Sequence, residues 1–242
     1  MTTPTVLLVH GAFADGSSWA PVIERLHAAG ISAQALANPL RGLTFDGDYV
    51  ASAATQTAGP VLLVGHSYGG AVITYAASKS ANAVGLVYVA AFGIDTGESA
   101  LGAVSNYPDP GLGVSIEPKT YPGSEEPEFY IKQDLFHSAF AADLPESVTA
   151  IGAVSQRPVS ATALGEPLSV RPAWKALPSW FAVATEDHAI HPDAQRMFAE
   201  RMGAKTIEVN GSHSIAVSQP DAVAGLIIEA ANSVSTTVPD HG

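Results

Sequence analysis

A chain of 242 residues, 47% hydrophobic and only 14% charged, can bury one large core and has the balance of a folded α/β protein rather than a disordered one. Its net charge of −12 argues against nucleic acid and anionic membrane surfaces as partners. With no cysteine, disulfides, thiolate nucleophiles and cysteine metal sites are excluded together.

The opening Met1-Thr2-Thr3-Pro4 lacks a basic stretch, and the apolar run after it stops at His10. The expectation is a cytoplasmic protein with neither signal peptide nor membrane span. Residues 5–9 predict a short buried strand. Ser17 or Ser18 is positioned to cap a helix with Pro21 in its first turn, apolar Val22, Ile23 and Leu26, and Gly30 as its stop. Residues 31–36 give a weaker strand pattern. Residues 61–64 form an apolar strand that runs straight into Gly65-His66-Ser67-Tyr68-Gly69, and a helical pattern follows (Val72, Ile73, Tyr75, Ala76). Strand, sharp turn with serine at its apex, then helix is the setting of a G-x-S-x-G nucleophile elbow. The flanking glycines fit, because a side chain at either would collide with the neighbouring strand or helix. Residues 84–91 predict another buried strand.

Between 92 and 178 the rhythm breaks, over a stretch far longer than the ~2–6 residues usual between elements of an α/β unit. It begins rich in Gly and Pro (Tyr107-Pro108-Asp109-Pro110-Gly111), turns helix-like over 124–142 around Phe129, Leu135, Phe136 and Phe140, and predicts a further helix after Pro145. Its aromatic content opposes a disordered linker. Strands follow at 180–184 and 206–209, with a helix from Pro192 to Met202 that Gly203 ends, and a last helix over 222–231 after Pro220. Alternating strands and helices predict a mostly parallel sheet with helices on both faces. Residues 1–91 and 179–232 are expected to form this core, 92–178 an inserted, mainly helical cap, and 233–242 a flexible tail.

A serine hydroxyl needs a base, and the base needs a partner that fixes its tautomer. Catalytic groups in a parallel sheet gather at the carboxyl ends of strands. His213 follows the last strand there, in Asn210-Gly211-Ser212-His213-Ser214, which satisfies the chain order Ser…Asp/Glu…His. Thr185-Glu186-Asp187-His188 offers two carboxylates after the preceding strand, and Asp95 is an alternative. Backbone N–H groups for an oxyanion are expected from Tyr68 and from Ala12, on the first loop between Gly11 and Gly16. His10 reads as a hydrogen-bonded support for that loop. Neither His10 nor the His188/His191 pair has ligand spacing such as H-E-x-x-H, so no metal site is expected. No G-x-G-x-x-G or Walker loop indicates a nucleotide.

Together Leu7-Leu8-Val9-His10-Gly11-Ala12, Gly65-His66-Ser67-Tyr68-Gly69-Gly70, Thr185-Glu186-Asp187 and Gly211-Ser212-His213 resemble the α/β-hydrolase fold over essentially the whole chain. Gln156-Arg157-Pro158, Ile190-His191-Pro192 and Ser212-His213-Ser214-Ile215-Ala216-Val217-Ser218 are similar to a bacterial group related to plant methylesterases and hydroxynitrile lyases. The resemblance implies Asp187, two residues after Thr185, as the triad acid, Ala12 and Tyr68 as oxyanion donors, a cap over 92–178 and no cofactor. It also implies that a cyanide-stabilising lysine after the catalytic histidine, or a threonine or asparagine after the first-loop histidine, would mark a lyase. Here Ser214 and Gly11 stand there. Ser67 in place of an aspartate nucleophile argues against epoxide hydrolases and dehalogenases. The expected function is cleavage of a small or medium uncharged ester through an acyl-enzyme, with Phe13, Phe136 and Phe140 as substrate contacts. Lactone or amide hydrolysis and cofactor-free perhydrolysis are alternatives. A hydrolase-like binding protein without turnover is a further one.

Overall fold

The apolar runs of the chain become the centre of one parallel sheet in a computed structural model that describes residues 3–235. Elements in chain order are β1 (Thr5–Val9), α1 (Ala20–Ala28), β2 (Ala33–Leu36), α2 (Leu43–Gln56), β3 (Val61–His66), α3 (Tyr68–Ser78) and β4 (Ala83–Val89). Then come α4 (Ala100–Val104), α5 (Leu112–Ser115), β5 (Ile116–Lys119), β6 (Glu128–Ile131), α6 (Phe136–Phe140), α7 (Glu146–Ser155), β7 (Val159–Ser160) and α8 (Ala161–Gly165). The chain closes with β8 (Ser179–Ala184), α9 (Pro192–Met202), β9 (Lys205–Val209), α10 (Ile215–Ser218) and α11 (Pro220–Ser233).

The main sheet runs β2-β1-β3-β4-β8-β9, and every neighbouring pair is parallel. The four inner strands are almost wholly buried and the two edges are half-exposed, as a sheet covered on both faces requires. Alternate residues divide between the faces. Leu7, Val9 and Leu63 pack with α2, α3 and Phe198 of α9, while Val6, Leu8, Leu62 and Val64 pack with Trp19, α1 and α11. Because β1 lies between β2 and β3, the chain leaves it in one direction and returns on the other side. The loops after β1 and β3 therefore part at a crevice, the place where sites form in such sheets.

Several expectations are corrected. The first helix starts later than the serines suggest: Asp15 accepts from the Ser17 N–H at 2.7 Å and caps a 3-10 turn, after which α1 begins at Ala20. The block 124–142 is not one helix. Residues 128–131 are a strand, paired antiparallel with β5 and β7 in a separate three-stranded sheet, and the helical part is confined to a 3-10 turn over Gln133–Leu135 and to Phe136–Phe140. Gln156 decides this locally, because its amide accepts from the Ile131 N–H at 2.8 Å and donates to the Ile131 carbonyl at 2.9 Å, as a strand would. Helix α2 had no clear apolar period in the sequence. Of the expected tail, Ser233 still belongs to α11 and the Val234 N–H donates to the Ala230 carbonyl at 3.1 Å; residues 236–242 lie outside the described residues. No helix among the described residues is long and apolar enough to cross a membrane.

Candidate active site

Ser67 stands between β3 and α3 with φ +54° and ψ −124°, a conformation that non-glycine residues avoid and that marks stored strain. The turn closes because nothing bulky flanks it. A Cβ on Gly65 would overlap the Gly69 backbone, and one on Gly69 would overlap the Val9 carbonyl of the adjacent strand. The Ser67 N–H donates to the Val89 carbonyl at 3.2 Å, and the Ser67 carbonyl accepts from Gly70 and Phe92, so the end of β4, the chain just after it and the first turn of α3 hold the turn. Tyr68 opens α3, where the first N–H groups have no partner within the helix.

Val9 and Gly65 are register partners, which brings the loop after β1 directly beneath the serine. A Cβ on Gly11 would lie 2.5 Å from the Ser67 Cβ and 3.1 Å from its Oγ, so only glycine allows this approach. His10 braces the loop. Its Nε2 accepts from the Asn38 N–H at 3.0 Å, which leaves Nδ1 to donate to the Gly11 carbonyl at 2.9 Å; burial lowers its pKa and favours this neutral form. On the far side the Phe13 N–H donates to the Arg157 carbonyl at 2.9 Å, and Phe13 itself has φ +61°. Ala12 is held between these two anchors.

Asp187 and His213 leave the adjacent strands β8 and β9, which pair through Ala184 and Val209. His213 Nδ1 lies 2.7 Å from Asp187 Oδ2, and both residues are buried. The carboxylate is saturated: it also accepts from the Ala189 N–H at 2.6 Å, the Ile190 N–H at 2.9 Å and Gln195 Nε2 at 2.7 Å. That environment fixes Nδ1 as the donor and turns Nε2 inward, where it is buried without a partner among the described residues. His66 secures the loop, since its Nε2 donates to the His213 carbonyl at 2.8 Å. Burial pushes the His66 pKa down to about 3, keeping it neutral. Glu186 is exposed. Asp95 is engaged elsewhere, paired with Lys175 at 2.6 Å.

Ser67, His213, Ala12 and Tyr68 share one cavity of about 360 Å³. Phe13 and Phe140 line it, and the Phe140 ring lies 4.9 Å from the His213 ring. Phe136 does not line this cavity: it packs behind Phe140 at 5.2 Å between centroids and lines a neighbouring one. Phe129 lies half-buried on the small sheet. His191 also faces the first cavity and stacks on Tyr107, whereas His188 lies near the Ser138 carbonyl. No group of three His, Asp or Glu side chains among the described residues could hold a metal ion. Asn38, Asp46 and Gln195 were not singled out from sequence. Gln195 alone left a signal, as a glutamine on the stripe of α9 shared with Ala194, Phe198 and Ala199.

A family model described as "Alpha/beta hydrolase family" matches residues 6–226, a span holding every residue just described. The chain belongs to the alpha/beta hydrolase family. This alpha/beta hydrolase is 26% identical to the alpha/beta hydrolase nvfD of Aspergillus novofumigatus, over 96% of this chain and 98% of that protein. Its fold is similar to a pyrethroid hydrolase from Sphingobium faniae (TM-score 0.79, 19% identity, 96% and 98% of the two chains). A methylesterase from Arabidopsis (0.79, 18%, 95% and 99%) and polyneuridine aldehyde esterase (0.79, 18%, 95% and 99%) share the fold equally.

Proposed function

We propose that this alpha/beta hydrolase cleaves an uncharged carboxylic ester through a covalent acyl-enzyme. The observation that carries the reading is a strained Ser67 sharing one cavity with a histidine whose far nitrogen is held by a buried carboxylate. In this reading Ser67 Oγ attacks the ester carbonyl while His213 Nε2 takes its proton. The Ala12 and Tyr68 N–H groups stabilise the oxyanion, which collapses as His213 returns the proton to the departing alcohol. Water then gives a proton to His213 and attacks the acyl-enzyme, and as the acid is released His213 passes that proton to Ser67 Oγ. Asp187 holds the imidazole tautomer and stabilises the transient imidazolium.

Substrate charge follows from the cavity wall. Among the described residues lining it none is Lys or Arg, while Asp109 is one of them, so a carboxylate-bearing substrate would find no fixed positive charge. Two of the fold neighbours are named as esterases, which supports ester chemistry. Cyanohydrin cleavage is disfavoured by local geometry. Gly11 offers no hydroxyl beside Ser67, and the Ser214 hydroxyl is turned away to the Phe140 carbonyl at 2.9 Å.

A fluorophosphonate probe followed by mass spectrometry should place a single adduct on Ser67, and p-nitrophenyl acetate should be cleaved by the wild type but not by Ser67→Ala. Mandelonitrile should give no enzyme-dependent benzaldehyde. Turnover that survives Ser67→Ala, or a label on another residue of active protein, overturns the reading.

A further inference from the structure

A second cavity of about 250 Å³ lies against the first, and the two share a wall made of Phe13 and Phe140. These rings meet edge to face at 6.1 Å. Each therefore has open space on two sides, unlike a side chain in a close-packed interior. From this arrangement we infer that the second cavity is a subsite for an apolar arm of the substrate, reached from Ser67 when the Phe13–Phe140 partition opens.

The chemistry of the second cavity fits such an arm and little else. Its far wall is α7, contributing Val148, Ile151 and Ser155, with Phe136 at its side and Val217 below. Its polar side chains are already engaged. Gln156 is spent on the Ile131 and Ala153 backbone, Asp15 on Ser17, and Ser214 on the Phe140 carbonyl. The lining hydroxyls of Ser17, Ser18, Thr149 and Ser155 also have protein partners, and the Asp15 carboxylate opposes an anionic group, so the apolar side chains are what an entering arm chiefly meets. An alkyl or aryl group gains burial, about 25 cal/mol per Å² of apolar surface. Phe140 is the side of the partition assigned to move: its ring meets those of Phe13, His66, Phe136 and His213, but it sits on the five-residue helix α6 and faces both voids. When its ring leaves the wall, an ester bound at Ser67 can extend past His213 into the second space.

The inference rests on the ester reading above, and the experiment separates the two. Two series are assayed: p-nitrophenyl esters from acetate to decanoate, and acetate esters of alcohols from methyl to decyl. The first lengthens the acyl half and the second the alcohol half. Phe140→Ala should raise kcat/KM for the long members relative to the short ones by at least about tenfold in one series. Ser155→Trp, which fills the far end of the cavity, should lower that same ratio in the protein with Phe140 intact. Displacement of a solvatochromic apolar dye by decyl acetate on the Ser67→Ala protein should weaken with Ser155→Trp. Ratios unchanged within twofold in both series, with dye displacement indifferent to Ser155→Trp, overturn the subsite. Loss of all Ser67-dependent ester turnover alongside Ser155-sensitive dye displacement overturns the ester reading and keeps the subsite.

Discussion

The Tyr68 hydroxyl donates to the Asp46 carboxylate at 2.8 Å, so the residue that follows the elbow serine is tied by its side chain to helix α2 across the core. Both Asp46 oxygens also accept from the Arg41 N–H at 3.1 Å. Arg41 in turn pairs with Glu128 of the small sheet at 2.8 Å, and its carbonyl accepts from the Ser160 hydroxyl. A turn whose own N–H is proposed to face the oxyanion thus hangs on a carboxylate with no contact to water.

Asp46 gives the protein a pH-dependent stability of predictable sign. Burial pushes its pKa up from 3.8 to about 6, despite its hydrogen bonds. A raised carboxyl pKa contributes stability that is fully present below pH 3.8 and is lost as pH rises through about 6. Asp46→Asn removes this loss. Relative to wild type, Asp46→Asn should therefore gain roughly 2–3 kcal/mol between pH 4 and pH 7. Urea melts of both proteins at four pH values measure the difference directly, and parallel curves would show that the buried carboxyl does not titrate there.

Asp187 and Asp95 should separate sharply in turnover. Removing the carboxylate that fixes a triad histidine can cost ~10⁴-fold, because the imidazole adopts the wrong tautomer. Asp187→Asn should show a loss of that order. Asp95→Asn breaks only the partly exposed pair with Lys175 and should stay within a few-fold of wild type. Steady-state kinetics on p-nitrophenyl acetate distinguishes them, and the reverse order would move the acid to the end of β4.

Gly11→Ala should cost activity out of proportion to its size. The added methyl meets the Ser67 Cβ at 2.5 Å and the His66 carbonyl at 2.8 Å, so the serine or the loop must shift. Overpacking of this kind costs about 1–3 kcal/mol of stability. A displacement near 1 Å at the reacting atoms costs on the order of 10²-fold in rate. Thermal melts and kcat on the same preparation test both, and normal kcat would mean that the loop yields without moving Ser67.

His66 is expected to act through His213 rather than on the substrate. His66→Ala leaves the buried His213 carbonyl without its donor, at a cost of about 1–3 kcal/mol. His66→Gln restores an N–H donor and should recover part of the lost kcat. The pH dependence has the opposite sign to that of Asp46. A histidine held near pKa 3 contributes stability present above pH 6.5 and lost as pH falls towards 3. The advantage of wild type over His66→Gln should accordingly shrink between pH 7 and pH 4 in denaturant titrations.

The sequence carried the inner sheet and the elbow because their signals are local. Residues 61–66 are an apolar run and Gly65 to Gly69 a contiguous motif, so neighbours in sequence are also neighbours in space. The carboxylate was harder to read. Glu186 and Asp187 have the same chemistry and adjacent positions, and only family resemblance separated them; in the fold one faces solvent and the other His213. Asp46, Asn38 and Gln195 escaped notice because their partners Tyr68, His10 and Asp187 lie elsewhere in the chain. Phe129, Phe136 and Phe140 mimicked a helical period although the first belongs to a strand. Strand preference at such places is set by pairing with β5 and β7, which no window over 124–142 contains.

The bond from the Phe13 N–H to the Arg157 carbonyl has a consequence for anyone who exchanges segment 92–178 with that of a relative. The contact is made by main chain on both sides, so it depends on the position of that carbonyl and not on which side chain stands at 157. A graft that keeps every core residue and every pocket side chain but displaces this carbonyl leaves the loop around Ala12 slack. Chimaeras of this enzyme fold should therefore be spliced by the height of one peptide group above the first loop, with residue identity a secondary concern.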